Sequence, residues 1–183
     1  MIAAWVGDRA IPAAAVDERV AQLRGGPYAA RLPHPSTMEG RNLRRWLTQA
    51  LVTEAVIERE ASLRGLTAAG SASRVSRSAA LRSGGVAAAV LAAHPLARAL
   101  RDAVTAHVTV PEVTVVDYHR RNRDRYPGDF SASREPIVVL LLDQAREQYF
   151  AQWLDERCAA LVRLAPGYEH PADPAQPDYA HHH

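Results

Sequence analysis

The chain has 183 residues, 48% of them hydrophobic and 23% charged, with a formal net charge of +2. That is enough material for one domain with its own core, and so small a net charge does not call for a nucleic-acid partner. A single cysteine, Cys158, excludes an internal disulfide and fits a reducing compartment; with no basic-then-apolar leader and no apolar run near the ~20 residues of a membrane span, the expectation is a cytoplasmic protein without a membrane partner.

Ile2 to Val6 reads as a strand, Gly7-Asp8 as a turn, and Arg9 to Ile11 as the return strand. Pro12 suits the first position of a helix showing Val16, Val20 and Leu23 on one face. Gly25-Gly26-Pro27 ends that helix, and Leu32-Pro33-His34-Pro35 leads into the longest element, Ser36 to Leu66. Ser36 and Glu39 have the spacing of a capping box, and Gly65 suits a left-handed C-terminal cap. Between them Leu43, Leu47, Ala50, Ile57 and Ala61, flanked by Trp46 and Leu51, form one broad apolar face. At ~1.5 Å per residue this helix is ~40 Å long and acts as a spine.

Thr67 to Ser73 reads as a loop, Arg74 to Arg82 as a short helix broken at Gly84-Gly85, and Val86 to Ala93 as an alanine-rich helix interrupted at His94-Pro95. Leu96 to His107 is helical, with Leu96, Leu100 and Val104 in line, and another helix runs from Pro111 to about Arg121. A loop with Pro127, Gly128 and Pro136 precedes the last long helix, Ile137 to Leu161, whose apolar face runs through Leu142, Tyr149, Trp153 and Cys158. Val162 to Leu164 is expected to close a sheet beside the N-terminal pair. From Pro166 on, proline density excludes regular structure. The expected fold is mainly α with a small β element: one domain over residues 1–165, with 67–107 as a helical insertion, followed by a proline- and histidine-rich tail, 166–183.

Several stretches resemble the chaperone part of SurA/PrsA-type peptidyl-prolyl isomerases. WVGDRAIPAAAVDERV is similar to that family's opening strand, turn and first helix, with Val6-Gly7-Asp8 where the family has valine-asparagine-glycine. LVTEAVIEREASLRGL resembles its spine helix, and VTVPEVTVVDYHRRNRDRYP, with Glu112-Val113, Tyr118, Asn122 and Tyr126, resembles the helix that leads into its isomerase domain. The helix through Trp153-Leu154, ending in Val162-Arg163-Leu164, matches the family's final helix and strand. Only eight residues separate Tyr126 from Glu135, where the isomerase domain would be inserted. The secretion signal of that family is missing, and residues 67–107 and the tail have no counterpart. The resemblance therefore implies a SurA N-domain-like helical fold with a groove for a peptide or protein segment, without isomerase activity. Trp46, Tyr118, Tyr149 and Trp153 are the aromatic candidates for that groove, and each equally suits a core.

Glu54 lies near the centre of the spine's apolar face, with Glu58 one turn on. Carboxylates so placed suit acid–base or metal chemistry, or else an ion pair with an arginine such as Arg98 or Arg101. The tail carries Glu169, His170, Asp173, Asp178 and His181-His182-His183. His170, Asp173 and Asp178 offer ligands for a divalent metal, although no standard zinc spacing is present and the three final histidines read equally as part of an affinity tag. No other cofactor is called for. A tail folded across the spine, bringing His170 to Glu54 or Glu58, would make a pocket. The second expectation is accordingly a small enzyme or binding protein for a small organic ligand, such as a natural-product intermediate, with Glu54, Glu58 and His170 as catalytic candidates.

All the basic residues are arginine, which together with abundant alanine reads as codon bias. Arg120, Arg121, Arg123 and Arg125 near Tyr118 and Tyr126 could meet phosphates and bases, but interruption by Asp117 and Asp124 reads as a solvated helix end. There is no G-x-S-x-G elbow, P-loop or G-x-G-x-x-G. Cys158 falls inside a helix, where a free cysteine acts as a small hydrophobe, and His34, His94, His107 and His119 form no triad with a serine.

Overall fold

A three-stranded antiparallel sheet joins the two ends of the chain. The computed structural model describes residues 1–27, 29–67, 90 and 93–179. Strand β1 (Ile2–Val6) turns at Gly7-Asp8 into β2 (Arg9–Pro12), and its other edge pairs with β3 (Val162–Leu164), giving the order β2-β1-β3. This is the sheet expected from the sequence. Trp5 stands opposite Ala10 on one side and Arg163 on the other. The Gly7 N–H donates to the Leu161 carbonyl at 2.8 Å and the Ala165 N–H to that of Ala3 at 2.9 Å, extending the ladder at both ends. Ala3 and Ala4 point to opposite faces and both are fully buried. The middle strand is thus covered on both sides, and its small side chains let the covering elements approach closely.

Pro12 closes β2 and, in extended conformation, is the N-cap of α1 (Ala13–Arg24) rather than its first residue. The spine is α2 (Met38–Leu63). Its cap is Thr37, one residue later than the expected Ser36. The Thr37 hydroxyl accepts the Gly40 N–H at 3.1 Å and donates to the His34 carbonyl at 2.9 Å, which ties the cap to the lead-in. Ser36 turns instead to the His34 ring, 2.7 Å away. The backbone N–H of Glu39 itself, above all, holds its carboxyl below the usual range. At the other end Gly65 has φ +64°. The Leu66 N–H reaches the Ala61 carbonyl at 2.9 Å and the Gly65 N–H that of Ser62 at 3.0 Å, the paired closure of a Schellman cap.

The middle of α2 is enclosed nearly all round. Val52, Ala55, Val56 and Ile57 are all buried, whereas Leu43, Leu47 and Ala50 of the expected stripe are half-buried. The sheet, α3 (Ala97–Val104) and α5 (Phe130–Leu161) supply the walls. Ala4, Val6, Ile11, Leu100, Phe150 and Leu154 meet the spine there in one continuous core.

Helix α4 (Glu112–Arg121) runs antiparallel along the first turns of α5. Arg134 grips both oxygens of Glu112 at 2.7–2.8 Å, the Phe130 ring meets His119 edge-on at 5.4 Å, and Ile137 is fully buried. These contacts explain why α5 begins at Phe130 rather than Ile137, with Pro136 inside the helix. Pro136 and Ala132, the residue four back whose carbonyl it leaves free, are both exposed, so water can satisfy that carbonyl. The buried face of α5 runs through Ile137, Phe150 and Leu154, not through Leu142 and Tyr149 as expected. A helix of 32 residues that changes partners along its length keeps no single stripe. Most of the expected helices at Arg74–Arg82 and Val86–Ala93 lies outside the described residues, as do His181–His183. Among the described residues no helix is long and apolar enough to cross a membrane.

Candidate functional site

The first turns of the spine carry Arg-Asn-Leu-Arg-Arg at 41–45, which puts Arg41 and Arg45 one turn apart on one face, with Arg44 beside them. Residues 166–179 fold back across this face without helix or strand. Past Ala165 the tail's backbone bonds are its own short turns, among them Asp173 N–H to His170 O at 2.9 Å and Gln176 N–H to Asp173 O at 3.2 Å. Side chains attach it to the body. Tyr168 is buried with Ala3 of β1 and Val16 of α1, packed by Leu47 and Leu51 of α2, and its hydroxyl accepts from Arg44 at 3.3 Å.

Asp178 is the second anchor. It accepts Arg41 Nε at 2.8 Å, Arg41 Nη2 at 2.5 Å and Arg45 Nη1 at 2.7 Å. Only 9% of its side chain and 5% of that of Arg45 remain exposed. The Arg41 guanidinium, followed by that of Arg45, holds the Asp178 carboxyl far below the usual carboxylate range. Gln176 is buried and stiffens the approach, accepting the Asp178 N–H at 2.8 Å and donating to the Pro171 carbonyl at 3.4 Å. Glu169 lies 3.7 Å from Arg45 Nε. The Gly167 N–H, with Arg45 adding to it, lowers the Glu169 carboxyl. The His170 ring meets Trp46 edge-on, with centroids 5.8 Å apart.

Glu54 and Glu58 face a different neighbour, the hairpin and α1. Arg19 of α1 forks both oxygens of Glu54 at 2.9 and 3.1 Å, so the spine carboxylate is paired with Arg19 rather than with Arg98 or Arg101. Arg9 donates to Glu58 at 2.5 Å, and His94 Nε2 stands 3.7 Å from the other Glu58 oxygen. An open cleft of about 270 Å³ runs between hairpin and spine, lined by Val6, Arg9, Ala55, Glu58, Arg59 and Ser62. A smaller one of about 110 Å³ adjoins it at Arg9, Ala55 and Glu58 and reaches Glu54. The expected convergence of His170 with these carboxylates is not formed: Trp46, which His170 touches, precedes Glu54 and Glu58 by about 12–18 Å of helix.

The expected metal ligands have other partners. Asp178 is taken by two arginines, Asp173 accepts the Ala175 N–H at 2.9 Å, and His170 Nδ1 accepts that of Ala172 at 3.0 Å. Among the described residues no three histidine, cysteine or acidic side chains are placed to hold a metal ion. The four aromatics are dispersed. Trp46 lies on the tail-holding face, Tyr118 meets Tyr126, and Tyr149 meets His107. Trp153, one turn beyond Tyr149, stacks on Phe150 and has the guanidinium groups of Arg64 and Arg157 5.3 and 5.8 Å from its ring centroid. Arg120 and Arg121 both pair with Asp117. Burial, reinforced by Asp155, pushes the Cys158 thiol up to about 11, which makes it a poor nucleophile at neutral pH.

Reasoning from sequence missed Arg41, Arg44 and Arg45 on the spine and Tyr168 and Gln176 in the tail. The available signal was a run of arginines at helical spacing in a chain that ends in an acidic, proline-rich segment. Residues 2–39, which build β1, β2, α1 and the lead-in, match the Family of unknown function (DUF7158). The tail and the arginines that hold it lie outside that match. No curated protein and no solved structure matches the chain.

Proposed function

We propose that the chain is a non-catalytic, chaperone-like module that holds a peptide or protein segment against its spine, without isomerase activity. One observation carries this reading: the molecule already holds such a segment, its own residues 166–179, by side chains, with Tyr168 in a slot between α1 and α2 and Asp178 on the arginines of α2. A tyrosine in an apolar slot and a carboxylate on paired guanidiniums are the anchors a peptide site uses. The resemblance of several stretches to SurA/PrsA proteins supports the reading, as does the short connection from α4 to α5, which leaves no room for an isomerase domain. The test is light scattering of a chemically unfolded client protein diluted into buffer with and without the chain. An equimolar amount should reduce scattering, Trp46→Ala should weaken the effect, and proline isomerisation in a model peptide should keep its uncatalysed time of roughly tens to hundreds of seconds. Unchanged scattering, or a catalysed isomerisation, refutes the proposal.

A second reading rests on the cleft, where Glu58 stands between Arg9 and His94. The His94 Nδ1 accepts the Leu96 N–H at 3.3 Å, which leaves Nε2 toward the carboxylate, an arrangement suited to proton transfer on a small organic ligand. His94→Gln should then abolish binding or turnover of such a ligand without unfolding the chain.

A further inference from the structure

We infer that the arginine face of the spine is a docking site for acidic, proline-rich segments of a partner protein, and that residues 166–179 occupy it in cis and gate it. This rests on the partner-holding reading above and specifies its ligand and its control.

The geometry of the occupied state supplies the recognition rule. Arg41 presents Nε and Nη2 side by side to the two oxygens of Asp178, the fork-to-carboxylate match that an ammonium or a lone hydrogen bond does not reproduce. Arg45 adds a third donor from one turn further on and is itself almost wholly buried. A charged guanidinium with so little exposure is stable only with an anion against it, so the face requires a carboxylate when occupied. The second requirement is an aromatic side chain upstream, because Tyr168 fills the slot between α1 and α2. Between the two anchors the tail carries Pro171, Pro174 and Pro177 and bonds mainly to itself, so it loses little conformational freedom on docking.

Nothing in the attachment demands that the segment be covalently connected. Apart from the Tyr168 N–H, which donates to the Ala165 carbonyl at 3.0 Å, the backbone bonds of the tail stay within the tail, and what else crosses to the body are side-chain contacts that an acidic peptide can copy. A partner must, however, displace the tail. The apparent affinity is reduced by the fraction of molecules in which the face is open, and if the tail is docked nine-tenths of the time that reduction is about tenfold.

The experiment uses the full chain and a fluorescent peptide with the sequence of residues 166–179, titrated by anisotropy at low salt. Against the unaltered chain the peptide should bind weakly. Against the Asp178→Asn chain, whose own tail has lost its carboxylate anchor, it should bind about tenfold more tightly or better. A peptide carrying the same Asp-to-Asn change should not show this gain, and Arg41→Ala combined with Asp178→Asn should abolish it. Gln176→Ala, which loosens the tail and leaves every charge in place, should move affinity in the same direction and serves if Asp178→Asn does not fold. Equal affinity for the altered and unaltered chains, or equal binding of the acidic and neutral peptides, overturns the inference. If the Asp178→Asn chain still suppresses client aggregation but ignores the acidic peptide, this inference falls and the partner-holding reading stands; failure of both removes both.

Discussion

Gly40 shows how one missing side chain positions a whole face. The lead-in crosses the first turn of α2 so closely that a Cβ at residue 40 would stand 2.0 Å from the His34 carbonyl oxygen and 2.9 Å from Pro35 Cα. Both are backbone atoms and cannot step aside as a flexible side chain would. Gly40→Ala would improve helix propensity by ~1 kcal/mol, but the clash must push the lead-in away, and overpacking of this kind costs about 1–3 kcal/mol. The expected net result is a lower denaturation midpoint together with weaker tail docking, because Arg41 donates to the Ser36 carbonyl at 3.0 Å and shares this turn. A midpoint equal to or above that of the unaltered chain would show that the lead-in yields freely. Buried hydroxyls in the spine are satisfied more simply: Thr48 and Thr53 donate to the carbonyls four residues back, at Arg44 and Gln49.

The tail depends on ionisation in a way that sets the direction of its pH response. Asp178 and Glu169 both have carboxyl groups lowered in the folded chain, Asp178 by the two arginines and Glu169 chiefly by the Gly167 N–H. A group with a depressed folded pKa contributes stability that is fully present above its unfolded value and fades as pH falls through the folded one. Docking should therefore be constant from about pH 8 down to about pH 5 and start to weaken only below about pH 4, where an ordinary aspartate begins to protonate. The Tyr168 ring resonances in a proton spectrum report it, since that ring lies buried among Ala3, Val16 and Leu47. In Asp178→Asn the acid-induced change should be much smaller, and its starting spectrum should resemble the acid form of the unaltered chain. Loss of docking already near neutral pH would point to a titrating group other than these carboxylates. The α4–α5 pair behaves differently, being held by the exposed Arg134–Glu112 fork and by the buried Ile137. Exposed pairs are worth little, so the apolar contact carries that element.

At the level of the whole chain, the two ends are one structural unit. Trp5 and Arg163 are opposite each other in the ladder, and the flanking bonds at Gly7–Leu161 and Ala3–Ala165 put residue 163 at a bonded position. The Arg163 guanidinium also lies 5.7 Å over the Trp5 ring. Arg163→Pro removes a ladder donor and a stacking group together. Because β1 is covered on both faces, the sheet cannot loosen without opening the core that Ala4 and Val6 share with Val56 and Phe150. The expected outcome is a single, earlier unfolding transition seen alike by far-ultraviolet dichroism and tryptophan fluorescence. An early loss of the sheet with the helical signal unchanged would mean that the strands are an appendage and not a closure.

Much of this architecture was legible in the residues themselves. The hairpin followed from a strand pattern around Gly7-Asp8, the Schellman end of the spine from Gly65, and the closing strand from Val162 to Leu164, because turn formers and side-chain periodicity act over a few residues and leave their mark locally. The cap shifted from Ser36 to Thr37 and α5 began seven residues before Ile137 because contacts with the lead-in and with α4 outweighed local preference, Pro136 included. The tail illustrates the division. Its lack of helix and strand was written in its prolines, but its place was not, since Arg41 and Asp178 stand 137 residues apart and a charge carries no register. Which of 22 arginines meets which carboxylate is settled by where packing brings the backbones together. That is why Glu54 found Arg19, Glu58 found Arg9, and the first turns of the spine became the part of the molecule that holds its own tail.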